Sequence, residues 1–114
     1  MKEEHQQRPI VCGTDFSAMA TEAVDVAAGM ARRLGIKLVL AHVEEYSGMA
    51  AVDPGLFKEA LSQKQGDLGK EVTRLRDLGT EVEIKLLTGS VFDELITAGV
   101  ACEARFMEIG RAHV

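Results

Sequence analysis

Ile10-Val11-Cys12-Gly13-Thr14-Asp15-Phe16-Ser17-Ala18-Met19-Ala20 is the stretch on which the fold turns. Its first three residues are apolar and partly β-branched, which suits a short buried strand. Gly13-Thr14-Asp15 reads as the turn that ends it. Ser17 stands where a helix needs an N-cap, because its side-chain oxygen can accept a bond from an orphan backbone N–H of the first turn. Downstream, Met19, Ala23, Val26, Ala27, Met30, Ala31 and Leu34 recur at three- and four-residue steps, the spacing of one helical face. Arg32 and Arg33 place cations in the last turn, where the helix dipole favours them. Gly35 suits a left-handed cap.

The same alternation continues along the chain. Ile36-Lys37-Leu38-Val39-Leu40-Ala41-His42-Val43 is a near-continuous apolar run, as in a strand buried on both faces. Residues 44–55 read as a long loop. Phe57, Leu61, Leu68, Val72, Leu75 and Leu78 mark a second helix ended by Gly79, with a break or kink expected at Gly66 or Gly69. Glu81-Val82-Glu83-Ile84-Lys85-Leu86-Leu87 alternates in polarity and reads as an edge strand. A third helix, capped by Ser90, turns Val91, Leu95, Ala98 and Cys102 inward, and Phe106-Met107 opens a fourth strand. The order βαβαβαβ predicts an α/β fold, an open parallel sheet with helices on both faces.

Composition narrows the function. The 114 residues suit one domain, 46% are apolar and Trp is absent, so the core is aliphatic. The formal net charge of −5, with only short basic groupings such as Arg32-Arg33 and Lys70, Arg74 and Arg76, argues against nucleic acid as a partner. No apolar run approaches a membrane span. Residues 1–8 form a polar tail without the pattern of a signal peptide, so a cytoplasmic protein is expected. Cys12 and Cys102 read as reduced, buried residues, and the scattered His5, His42 and His113 offer no metal-ligand spacing.

In open parallel sheets, ligands bind at the carboxyl ends of the strands. That edge should carry Gly13 to Ser17, Val43-Glu44 and Thr88-Gly89-Ser90. Asp15 could accept hydrogen bonds from a ribose hydroxyl or an adenine amine, with Thr14 and Ser17 supplying hydroxyls. Asp-Phe-Ser before a helix is equally an ordinary capping arrangement, and on spacing alone the capping reading weighs more. Ser17, His42 and Asp15 contain the residue types of a hydrolase triad, but the Gly-x-Ser-x-Gly elbow is absent. Neither a Gly-x-Gly-x-x-Gly nor a Gly-Lys-Ser/Thr phosphate loop occurs. The sequence therefore predicts no catalytic residues and a protein that is not an enzyme.

From Arg8 to about Met107 the chain resembles the universal stress proteins. The carriers are Ile10 to Ser17, Arg33-Leu34-Gly35-Ile36-Lys37-Leu38, Ala41-His42-Val43, and Leu78-Gly79-Thr80-Glu81-Val82-Glu83 followed by Leu87-Thr88-Gly89. The resemblance implies a Rossmann-like, five-stranded parallel sheet, a homodimer and a stress-response role. In one subgroup it also implies ATP binding, with Mg2+ accompanying the nucleotide. Thr14, Asp15 and Val43 then become nucleotide-binding residues. The alternative is a member that binds no nucleotide and serves dimerisation or partner interaction. A nucleotidyl-transferring relative would need a His-x-x-His-like motif, which is lacking. Gly13 departs from the family, which often has Pro there.

The ending is also unusual. Ile109-Gly110-Arg111-Ala112-His113-Val114 matches one frame of a common sequencing adapter, and Glu108 puts a charge into an expected buried strand. The expectation is a family domain over 9–107, incomplete for want of its last helix and fifth strand, followed by a non-native read-through tail over 108–114. Under the competing reading the fourth strand is genuine and Gly110 is the first phosphate-loop glycine.

Overall fold

The computed structural model describes residues 8–45 and 53–109. Strands β1 (Ile10–Gly13), β2 (Leu38–Glu44), β3 (Val82–Thr88) and β4 (Phe106–Ile109) alternate with helices α1 (Ala18–Leu34), α2 (Pro54–Asp77) and α3 (Val91–Cys102). The strands form one sheet in the order β3-β2-β1-β4. All neighbouring pairs are parallel, with Ile10 opposite both Leu38 and Phe106, and Leu38 opposite Val82. The predicted α/β architecture and the edge position of β3 are both observed. The backbone of Glu108 continues β4 opposite Cys12.

Helices cover both faces, as expected. On one, Ile10, Cys12, Leu38 and Leu40 meet Val24, Ala27, Ala28 and Ala31 of α1 and Leu68, Val72 and Leu75 of α2. On the other, Ala41 and Val43 pack with Leu95 of α3, flanked by Leu87 and Val91. These residues alternate along β2, as side chains must in a strand buried on both faces.

The inner face of α1 differs from the sequence expectation. Ala27 and Ala31 are buried as expected, but Ala20, Val24 and Ala28 join them. Met19, Val26, Met30 and Leu34 instead stand 56, 58, 37 and 44% exposed. The 19-23-26-30 and 20-24-27-31 rows are both apolar and lie about 100° apart on the helix. Close approach to the sheet selects the row with the smaller side chains. The predicted break in α2 is also absent. Pro54–Asp77 is continuous, opened by Asp53, whose carboxylate accepts from Leu56 N–H. The expected loop over 44–55 therefore ends before Pro54, and its residues 46–52 lie outside the described ones.

The caps follow the sequence more closely. Ser17 Oγ accepts from Ala20 N–H, and Gly35 adopts φ +68°. Ser90 occupies the N-cap position of α3 but makes no side-chain capping bond. Its helix starts instead with Asp93 and Glu94 in the first turn, where carboxylates complement the dipole.

Candidate functional site

The β1–β2 register ends at Gly13 and Ala41, closed by Thr14 N–H donating to the Ala41 carbonyl at 2.8 Å. From there β1 turns away into α1, while β2 runs on to Glu44 beside β3. Backbone carbonyls alternate sides along a strand. The Ala41 carbonyl faces β1 and the Glu44 carbonyl accepts from Gly89 after β3. The Val43 carbonyl therefore faces the β1 side, beyond the point where β1 has left. Asp15 and Val43 thus lie at the same carboxyl edge of neighbouring parallel strands. β1 is also where strand order reverses, between β2 and β4, and such a switch point leaves a crevice outside the sheet.

The turn at this edge is tightly held. Thr14 Oγ1 accepts from Phe16 N–H at 3.0 Å, and Asp15 Oδ1 accepts from Ser17 N–H at 2.9 Å. Both are local side-chain-to-backbone bonds two residues on, which shape a turn before a helix. The capping reading of Asp-Phe-Ser is therefore present in the structure, and Asp15 remains exposed at the rim. Phe16 adopts φ +66°. For a residue with a Cβ, this left-handed backbone costs about 1–2 kcal/mol, so the surroundings must hold it. Its ring packs against the core under α1 and α2, 4.9 Å from the His42 ring, with Lys64 Nζ of α2 5.5 Å above it.

His42 is buried at 6% exposure, and both ring nitrogens are engaged. Nδ1 lies 2.7 Å from the Thr14 carbonyl and Nε2 2.9 Å from Glu44 Oε1. Ser17 Oγ is committed to Ala20, and His42 to Thr14 and Glu44. Ser17, His42 and Asp15 are thus drawn to one edge, but as a structural turn and its support.

The sequence-predicted residues are distributed as follows. Thr14 and Val43 are each 8% exposed, and the Val43 side chain belongs to the core beneath α3. A ligand at this edge would meet Val43 through its backbone, and Thr14 after its hydroxyl has accepted from Phe16. Gly110 lies outside the described residues. Among the described residues no group of three or more His, Cys, Asp or Glu could hold a metal ion, and no helix is long and apolar enough to cross a membrane. Sequence reasoning missed the engagement of His42, the positive φ of Phe16 and the arrival of Lys64. The first had a faint signal, a histidine in an apolar run. The other two depend on how the turn and α2 pack. Two shallow hollows, of about 380 and 270 Å³, line the C-terminal halves of α1 and α3, at the other end of those helices from this edge.

No curated protein matches the chain. Among solved structures, a universal stress protein from Archaeoglobus fulgidus shares 26% identity at a TM-score of 0.65, covering 89% of this chain and 73% of that one. The Archaeoglobus fulgidus protein in complex with dAMP shares 24% identity at a TM-score of 0.63, covering 89% of this chain and 78% of that one. A universal stress protein in complex with cAMP shares 22% identity at a TM-score of 0.64, covering 88% of this chain and 69% of that one. The model of the universal stress protein family matches residues 7–105, nearly the whole described length. By that match over most of its length, the chain belongs to the universal stress protein family.

Proposed function

We propose that this chain is an adenine-nucleotide-binding module that acts by binding rather than by catalysis. The observation that carries the proposal is the parallel β1–β2 register, which sets Thr14, Asp15 and the Val43 backbone at one edge of the switch-point crevice. A strand edge beyond the last ladder bond suits a flat base, which can exchange hydrogen bonds with main-chain groups. Asp15, exposed and acceptor-only when ionised, suits the ribose hydroxyls. Two relatives of the same fold are described with dAMP and cAMP, which supports an adenine nucleotide as the ligand class. ATP is the form the family resemblance favours. Mg2+ would then enter with its phosphates, since the described residues supply no cluster of their own for it.

Homodimerisation and a cytoplasmic stress-response role belong to the same proposal. A second reading is a member that serves partner interaction without a nucleotide. It is favoured by Phe92, Ile96 and Val100 of α3, which at 46, 52 and 72% exposure form an apolar row at four-residue steps. Titration calorimetry with ATP, cAMP and dAMP separates the two readings. Binding by the native chain and a loss of about tenfold or more in Asp15→Ala support the first, because a carboxylate–hydroxyl bond is worth about that much. The absence of both heat and a thermal shift at millimolar nucleotide would refute it. Light scattering at the same concentrations reports the dimer.

A further inference from the structure

We propose that His42 is a positioning residue for the nucleotide edge, holding the Thr14–Asp15 turn in place through the Thr14 carbonyl. The proposal rests on the nucleotide reading of that edge. A carbonyl oxygen only accepts, so the 2.7 Å contact makes Nδ1 the donor. That bond stands where β1 has left the sheet, and it takes the place of a ladder bond from β2. Glu44 Oε1, 2.9 Å from Nε2, also only accepts, so the ring donates to both partners at once in its doubly protonated form, and it then cannot swing away from Thr14 without breaking a second contact. The ring is 6% exposed and lies against Phe16, the residue of the turn whose φ is +66°. Thr14 Oγ1 receives Phe16 N–H and Asp15 Oδ1 receives Ser17 N–H, so moving the Thr14 peptide carries both of those bonds with it. His42 therefore reaches the rim carboxylate of Asp15 through the backbone, without touching a ligand itself.

The two nitrogens of the ring make the idea testable. In His42→Asn, the side-chain amide nitrogen falls near the place of Nδ1 and can still donate to Thr14. In His42→Gln, it falls near the place of Nε2 and keeps the Glu44 side only. Both variants are to be compared with the native chain by amide hydrogen exchange at Phe16 and Ser17 and by calorimetric titration with ATP, with a thermal melt to confirm folding. The expected result is a split. His42→Asn keeps both turn amides protected and keeps nucleotide affinity. His42→Gln loses protection at those amides and loses affinity by about tenfold, the effect of one misplaced hydrogen-bonding group. A purely structural histidine would move the melt in both variants and show no such split. Equal behaviour of the two variants in exchange and affinity overturns the proposal. If the native chain takes up no ATP, the nucleotide reading falls. The exchange split alone then decides whether His42 holds the turn: its presence sustains that claim and its absence ends it.

Discussion

Replacing Gly13 by alanine tests how the two faces of the sheet are assembled. A Cβ at position 13 would stand 2.8 Å from Leu95 Cδ1 and 3.4 Å from Cδ2. Leu95 is 2% exposed and is held among Ala41, Val43, Leu87 and Val91, so its methyl groups cannot retreat without displacing neighbours. Two effects oppose each other. Alanine in a strand recovers about 0.5–1 kcal/mol of backbone entropy relative to glycine. Overpacking a filled site costs about 1–3 kcal/mol. The collision should win, giving a net loss of about 1 kcal/mol. Leu95→Ala alone should cost about 2–3 kcal/mol, toward the lower end of the range for large-to-small core substitutions. In the Leu95→Ala background the collision is gone, so Gly13→Ala should become stabilising. Urea unfolding followed by circular dichroism, with constant m-values across the four proteins, gives the cycle. A coupling of about 1–2 kcal/mol and the reversal of sign are expected. The reasoning is refuted if Gly13→Ala stabilises the native background, or if it destabilises both backgrounds equally.

Three further outcomes follow from particular contacts. Ser17→Ala removes the acceptor for Ala20 N–H at the start of α1 and should lower stability by about 1 kcal/mol in the same unfolding assay, whereas an unchanged midpoint would show that solvent caps the helix equally well. Gly35→Ala should lower stability and Gly69→Ala raise it, by about 1 kcal/mol each, with thermal midpoints moving in opposite directions, since both sites have open space but Gly35 has φ +68° and Gly69 lies within α2. Lys37 Nζ lies 2.6 Å from Glu83 Oε1 at the start of β2 and β3, and the Lys37 ammonium holds the Glu83 carboxyl below the usual range while Glu83 raises Lys37. Glu83's contribution is then fully present above the ordinary glutamate value and lost as pH falls through its lowered one; that of Lys37 is present below the ordinary lysine value and lost as pH rises through its raised one. With side chains 29 and 44% exposed, the pair should contribute less than about 1 kcal/mol. Glu83→Gln should accordingly differ from the native chain at neutral pH and converge with it in acid. A gap that persists in acid would mean the carboxylate is not its source.

Much of the outline could be read from local chemistry. Ser17 and Gly35 bound α1 because a cap oxygen and a left-handed residue are requirements of the first and last turn alone. The polarity of β3 marked an edge, and the apolar run of β2 marked a strand covered on both faces, because side-chain alternation reports burial directly. Tolerance was harder to judge. Gly66 and Gly69 suggested a break, yet α2 is continuous, since packing of Leu68, Val72 and Leu75 outweighs a propensity cost of about 1 kcal/mol per glycine.

By itself, then, the sequence determined the order of elements, the caps of α1, the aliphatic character of the core and the approximate ends of the strands, all of which depend on neighbours within a turn or two. Only the tertiary structure decided which of two apolar rows of α1 faces the sheet, because that depends on how near the helix can come. It also decided what His42 does. Between the Thr14 carbonyl and Glu44, beneath a Phe16 held at positive φ, the imidazole is a support for the turn, and those partners meet only when β1 and β2 lie side by side.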